Sequence, residues 1–499
     1  MTLAGCATST AQVGKRILKP GEKRTIAMIG YGIQMRTALI PQFLQSDLAP
    51  NVRITHVCDC DRVRAAAGAK QVSEAYAKRG EKLPVCVPVA DFRDILNDPS
   101  IDMVCIATPD HWHAYIAVEA MKHGKDVYCE KPVTFTIDEA RKVIAAEKKY
   151  GRVFQAGSMQ RSWREFRVAV SLVLNGVIGD LKYVDANYGR GGEKLGGPSH
   201  PIRFFDDPNN AATEGAPNPD VDWAMWLGPA KMRPYSDQLA PRGVNNFYPM
   251  FWRFDDDIGS GYNGDWGAHH LDIAQWGMGM DRSGPKKIIC SEEPHSTNLY
   301  HGGRRQFGMK MIFDSPMGEI ELYHGPFGVW GTVFYGTKGI VAVNRGKIAV
   351  WQGTGPVRPT AEVRAALQDA QNLFMKDKVV ASSIGADYGT DAMVKADNGL
   401  ADVLTQLEGR FKLKTARVQL QKSSNQVRNF VDCVETRELP ISSAETSCRS
   451  GALCLLCNLS YQYDTSFDWD PKAMTFANGT GKGISLKREG DCNGWKVEV

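Results

Sequence analysis

The chain has no uninterrupted apolar run approaching the roughly 20 residues that a bilayer crossing needs; even GALCLLCNL at residues 451–459 is short and interrupted. No transmembrane helix is expected. An excess of either charge is also missing, since 60 Lys and Arg stand against 56 Asp and Glu, a balance of +4 over 499 residues. This removes any general pull toward nucleic acid or a membrane surface and favours small neutral or weakly charged ligands. Repeats and low-complexity tracts are absent. With 43% hydrophobic and 23% charged residues, the composition is that of a globular protein of two or three domains.

A disulfide framework is lacking too. The twelve cysteines are scattered through apolar, strand-like surroundings such as HVCDCD, MVCIAT and VYCEKP, which reads as buried free thiols. Cys454 and Cys457 form a CxxC, but they lie i, i+3 in a helical apolar pattern with no second ligand pair nearby. Core packing is favoured over zinc or redox work, and no metal site is expected. At the amino terminus Leu3-Ala4-Gly5-Cys6 resembles a lipobox, yet only two residues precede it, without the basic and apolar regions of a signal. Two expectations stay open: a cytoplasmic protein starting at Met1 with a chance match, or a periplasmic or lipid-anchored product of a longer precursor. Residues 1–24 read as a flexible lead.

What is present is a regular alternation. TIAMIG, VRITHVCD, IDMVCIATP, DVYCEKP and RVFQAGS read as strands separated by helical segments, which predicts a doubly wound parallel sheet over residues 25–157. From residue 158 to 499 the pattern changes. KYVDANYG, KKIICSEEP, RQFGMKMIFD, GEIELYHG, TVFYGT and GIVAVNRG follow one another with few helices, so a second α/β domain with a large, mostly antiparallel open sheet is expected. Residues 356–424 read as a helical insertion without legible chemistry.

The turn after the first strand, Gly30-Tyr31-Gly32-Ile33-Gln34-Met35, is a dinucleotide-binding turn with methionine in place of the third glycine. Asp59, ending the second strand, is placed to bond a ribose hydroxyl and repel a 2′-phosphate. NAD is therefore expected over NADP, although Arg62 could soften the exclusion. Two further strand ends, Ala107 to His113 (with Thr108 and Pro109) and Tyr128 to Pro132, aim at the same crevice. Lys131 stands there before a proline whose peptide bond is a candidate for cis.

ATPDHWHAYIAVEAMKHGKDVYCEKPVTFTIDEA, GSMQRS, WLGPAKMRPY, DWGAHHLD, FYGTKGIVAVNRG, RNFVDC and FDWDP resemble the glucose-fructose oxidoreductase, inositol dehydrogenase and rhizopine-catabolism (Gfo/Idh/MocA) family. The resemblance implies a Rossmann domain, an open-sheet domain that often forms a homo-oligomer interface, and hydride transfer between nicotinamide and a sugar or cyclitol carbon. It also implies that Lys131 bonds the reacting hydroxyl, that His269 takes its proton, and that Asp265 orients it. Trp112, His113, Glu130 and Gln160 match positions that line the cofactor, while Tyr262, Arg161 and Arg253 are weaker candidates for substrate contact. If residues 264–277 are helical, Asp265, His269, Asp272 and Trp276 share one face. His270 is turned about 100° away as a secondary site residue, beside Trp266.

The expected activity is NAD-dependent oxidation of a secondary hydroxyl of a sugar, glycoside or cyclitol. Two alternatives are a redox-neutral NAD-dependent glycoside hydrolase or lyase working through a transient keto-sugar, and a non-catalytic dinucleotide sensor, which loss of Lys131 or His269 would have signalled.

Overall fold

The computed structural model describes residues 18–19, 22–187, 214–244, 251–261, 263–290, 299–300, 304–305, 309–325, 331–353, 358–374, 399–490 and 492–499. Tyr262 and the Leu3–Cys6 stretch lie outside the described residues.

Six parallel strands form the first sheet: β1 (Arg24–Ile29), β2 (Val52–Cys58), β3 (Val87–Val89), β4 (Met103–Ile106), β5 (Asp126–Cys129) and β6 (Phe154–Ala156), in the order β3-β2-β1-β4-β5-β6. β4 and β5 are buried along their whole length because crossover helices cover both faces, hence their unbroken apolar sequences. The crossovers carry α1 (Ile40–Leu44), α2 (Arg62–Lys78), α3 (Phe92–Asn97), α4 (Asp110–Lys122) and α5 (Ile137–Tyr150). Local chemistry sets their starts. The Asp61 carboxylate accepts the Val63 and Arg64 N–H groups at the head of α2, and Thr136 with Glu139 makes a reciprocal capping box for α5. β3 had no sequence signal: it is three residues with a central proline, tolerable only at an edge. Between β1 and β4 the strand order reverses and a crevice opens at the carboxyl ends.

The second sheet has nine strands. They are β7 (Leu181–Asn187), β8 (Lys287–Cys290), β11 (Met309–Ser315), β12 (Gly318–Gly325), β13 (Thr332–Gly336), β14 (Gly339–Asn344), β15 (Lys347–Gln352), β16 (Phe467–Asp470) and β17 (Thr475–Phe476). Their order is β15-β14-β13-β7-β12-β11-β8-β16-β17, and β7 with β12 is the parallel pair in an otherwise antiparallel sheet. β9 (Leu299–Tyr300) and β10 (Arg304–Arg305) form a separate short ladder. Helices α6 (Arg164–Leu174), α8 (Ala268–Gly277) and α12 (Ala444–Tyr463) cover one face, while the short α7 (Trp223–Leu227) stands near the crevice.

The described parts of segment 356–424 have a structural task. Its α9 (Ala361–Phe374) lays Leu367 and Val363 over Val333, Tyr335, Ile340 and Trp351 on the opposite face, with Arg364 paired to Asp185 at 2.8 Å. Its α10 (Leu400–Arg410) packs on α6, where Arg164 meets Glu408 at 2.9 Å. Beyond it the chain returns to the first sheet: Val427, Phe430, Val431 and Val434 of α11 (Gln426–Thr436) recur at helical spacing and join a core with Phe43 and Tyr128. Among the described residues Cys454 and Cys457 are buried free thiols. Among the described residues no helix is long and apolar enough to cross a membrane.

Candidate functional site: a cavity at the strand-order switch

A cavity of about 460 Å³ occupies the crevice and draws its walls from both sheets' surroundings; binding sites for small molecules commonly span roughly 300–1,000 Å³. At one end lies the glycine turn. Gly30 has φ +87°, and a Cβ on it would stand 2.8 Å from the Ala107 carbonyl and the Thr108 nitrogen, so backbone angle and the neighbouring strand end both require glycine. A Cβ on Gly32 would meet nothing within 4 Å, leaving open space over the turn. Met35, where a third glycine would stand, is fully buried and opens a π turn, Met35–Leu39, ahead of α1.

Asp59 ties this turn to β2. Its Oδ2 accepts the Tyr31 N–H at 2.8 Å and its Oδ1 accepts the Asp61 N–H at 2.9 Å, while it lines the cavity. Burial pushes its carboxyl up, opposed by those N–H groups and by Arg64. Arg62 points elsewhere, donating to the Pro219 carbonyl at 2.7 Å. Arg64, about 200° further round the helix, reaches the cavity instead and donates to the Pro241 carbonyl at 3.0 Å. Residues 214–241 close this end: Asp222 N–H bonds Cys60 O at 3.0 Å, and Trp112 Nε1 donates to Met225 O at 3.1 Å. His113 lies between two strand-end loops, with Nδ1 2.7 Å from Pro132 O and Nε2 2.8 Å from Thr108 O. Glu130 accepts from Gln34 Nε2 at 3.1 Å. Ile33 and Pro109 complete this wall.

At the other end the Lys131–Pro132 peptide is cis. Lys131 Nζ donates to Asp265 Oδ1 at 2.6 Å and to the Asp265 carbonyl at 3.0 Å, and Arg253 Nη1 lies 3.3 Å from the same Oδ1. Burial alone would raise the Asp265 carboxyl, but Arg253, Lys131 and Arg345 outweigh it and hold it at about 2. His269 is buried beside them. Neither ring nitrogen has a hydrogen-bond partner among the described residues, and only Nδ1 is sealed from solvent, which leaves Nε2 facing the cavity. Burial, then the charges of Lys131 and Arg345, keep its imidazole well below the usual 6.5.

Several expected residues stand elsewhere. Arg161 is fully buried and spends four N–H bonds on Asp272 and Asp281, at 2.7–3.0 Å, so it is a structural ion pair and does not line the cavity. Of Asp265, His269, Asp272 and Trp276, expected on one helix face, only the first two line the cavity. The helix begins as a π turn, Asn263–Gly267, and eleven residues of rise span about 16 Å, so its first part meets the cavity while Asp272 and Trp276 meet Arg161. His270 stacks on Trp266 with centroids 6.2 Å apart and is away from the cavity wall. Gln160 is one layer behind, donating to His269 O at 3.2 Å and accepting from Arg345 Nε at 3.0 Å.

Arg345 was not anticipated. It projects from the β14–β15 turn, a strand hairpin whose relation to Lys131 no local pattern reveals. Met225 and Trp226 of the closing segment were missed likewise, because the path of that loop has no periodic signature.

Together these residues can hold a dinucleotide along the turn and remove a proton from a hydroxyl at the inner end. The open space above Gly32 and the buried, unpartnered Thr108 Oγ1 at the β4 exit fit such a ligand. Among the described residues no cluster of His, Cys, Asp or Glu is placed to hold a metal ion.

Comparison with known proteins agrees with this architecture. Residues 24–158 match the NAD-binding Rossmann fold of the GFO_IDH_MocA oxidoreductase family, and residues 204–308 match that family's C-terminal alpha/beta domain. A levoglucosan dehydrogenase of Pseudarthrobacter phenanthrenivorans is 25% identical over 234 residues, 47% of each chain. A glycosyl hydrolase family 109 protein of a Shewanella species is 30% identical over 142 residues, 27% of this chain and 29% of its own. The chain spans less than half the length of the curated relatives it matches. A levoglucosan dehydrogenase structure in complex with NADH and L-sorbose superimposes with a TM-score of 0.52 at 16% identity, over 90% of this chain and 100% of that one, which shows a shared fold. With models of its Rossmann and C-terminal domains matching residues 24–158 and 204–308, the chain belongs to the Gfo/Idh/MocA oxidoreductase family.

Proposed function

We propose that the protein is an NAD-dependent dehydrogenase acting on a secondary hydroxyl of a sugar, glycoside or cyclitol, with residues 25–157 holding the cofactor and residues 158–499 completing the substrate side. One observation carries this reading: Lys131, at the end of β5, bonds Asp265 at 2.6 Å on the wall of the cavity that also holds the glycine turn and His269. The named activity of the levoglucosan dehydrogenase relative supports it.

Bound NAD would supply the acceptor for the hydride leaving the carbinol carbon. Lys131 Nζ donates to the reacting oxygen and stabilises its developing negative charge. His269 Nε2, neutral because burial and neighbouring cations disfavour the imidazolium, takes the hydroxyl proton. Asp265 holds Lys131 in place and offers an acceptor to a neighbouring hydroxyl. The Asp59 carboxylate at the opposite end supports NAD over NADP, since it meets a ribose hydroxyl favourably and a 2′-phosphate as a like charge. Fluorescence titration with NADH and NADPH, followed by a sugar and cyclitol panel read at 340 nm, tests the proposal. Tight NADH binding with NADH production is expected, and a folded protein that binds neither nucleotide overturns it.

A second reading draws on the similarity to the family 109 glycosyl hydrolase: cofactor stays bound, oxidation is transient, and an aglycone leaves without net redox change. Nitrophenyl glycosides discriminate the two, because release of nitrophenol without NADH accumulation favours cleavage.

A further inference from the structure

Arg345 is the cation of the reacting end that makes no close ion pair, although its charge reaches Asp265. Lys131 and Arg253 both lie within 3.3 Å of the Asp265 carboxylate. Among the described residues Arg345 has no carboxylate oxygen within 4 Å and no hydrogen-bond partner for its two terminal amines. Yet it is firmly placed. Its Nε donates to Gln160 at 3.0 Å, and its Cζ lies over the rings of Trp266 and Trp163, 4.7 and 5.4 Å from their centroids. Gln160 in turn bonds the His269 carbonyl at 3.2 Å, so the same side chain sets the guanidinium and the base in register. Leaving a partly desolvated guanidinium unpaired is costly, and the fixed fork it presents matches a planar carboxylate held by two parallel bonds.

We propose that Arg345 recognises a carboxylate on the substrate, and that the sugar oxidised here is a sugar acid such as a uronic or aldonic acid. The inference rests on the dehydrogenase reading above. The reaction stays balanced: the alcohol carbon loses hydride to NAD and its hydroxyl proton to His269, and the substrate carboxylate is unchanged.

Calorimetry of ligands added to the NADH-loaded protein separates this inference from that reading, because it needs no turnover. Glucuronate is expected to bind at least about tenfold tighter than glucose, and the preference to collapse in Arg345→Gln. Arg345→Lys, which keeps the charge without the fork, is expected to retain part of it, guarding against a variant that fails to fold. In steady-state assays the acid-to-neutral ratio of kcat/KM should fall in parallel by about tenfold or more. Equal binding of glucuronate and glucose, an unchanged ratio in Arg345→Gln, or tighter binding of glucose 6-phosphate than of glucuronate overturns the inference. If neutral sugars are oxidised and acids are not, it fails while the dehydrogenase reading stands; if glucuronate binds through Arg345 and nothing is oxidised, the dehydrogenase reading fails and carboxylate recognition holds.

Discussion

His269, the base of the proposed reaction, has a proton affinity set by its surroundings: buried, with neither ring nitrogen hydrogen-bonded among the described residues and three cations nearby, it stays neutral into acid solution. Replacing it with alanine is expected to lower turnover by about 10²- to 10⁴-fold while NADH affinity stays within a few-fold. The acid limb of the kcat/KM–pH profile should fall below pH 6.5, since the folded-state pKa is depressed and the imidazole remains deprotonated there. An acid limb centred at 6.5 would contradict the buried site. Arg161 calls for the opposite experiment. Asp272→Asn strips a counter-charge from a fully buried guanidinium and should cost about 3–5 kcal/mol in a denaturant melt. The sequence neighbourhood GSMQRS suggested a substrate contact because ion-pair partners more than a hundred residues downstream leave no mark beside the arginine.

Elements position the cavity by touching one another far from it. The carboxyl-terminal segment after β17 crosses back over the first sheet: Asn493 Nδ2 donates to Gly228 O at 2.8 Å, and Trp495 packs edge-on against Trp112 with centroids 4.9 Å apart. Trp112 in turn bonds the carbonyls of Met225 and Trp226 on the closing segment. Trp495→Ala is therefore expected to lower stability by about 1–3 kcal/mol and to weaken NADH binding several-fold, measured by fluorescence titration. Unaltered NADH affinity would detach the tail from the site. At the glycine turn, Gly30→Ala forces a Cβ to within 2.8 Å of the Ala107 carbonyl and should abolish cofactor binding or folding altogether. The turn was readable because its constraint is local. The tail's packing was not, since a Trp-containing segment near a chain end has no periodic pattern to announce its partner.

Across the molecule, buried neutral histidines couple stability to pH. Burial, the largest cause in each case, holds His111 and His270 at about 3 and His324 at about 4, against 6.5 in an unfolded chain. On acidification the unfolded state takes up protons first. Stability is thus fully present above pH 6.5 and declines as pH falls toward 4 and 3, by up to about 1.4 kcal/mol per pH unit for each group. Glu147, pushed up to about 7 by burial, takes up its proton in the folded state over the same range and opposes this fall, so melts at pH 7.5, 5.5 and 4.5 should compare the parent with His324→Gln, and an identical pH dependence of the two would mean that His324 is solvated. The other large-scale feature is α9, which covers the face of the second sheet opposite to α6, α8 and α12.

Alternating strands and helices, the Gly30–Gly32 turn, Asp59 at the next strand end and Lys131 before its proline were all legible in the sequence, because each follows from neighbours within a few residues. They determine a Rossmann unit followed by a mostly antiparallel one, with a dinucleotide turn at the crevice. The tertiary structure decided which side chains meet. It paired Lys131 with Asp265, committed Arg161 to Asp272 and Asp281, turned His270 onto Trp266, and brought Arg345 from a distant hairpin to the cavity wall that Lys131 and His269 share. These outcomes depend on burial and on charges brought close by the fold, and neither quantity is defined until the two sheets and their connecting helices have packed.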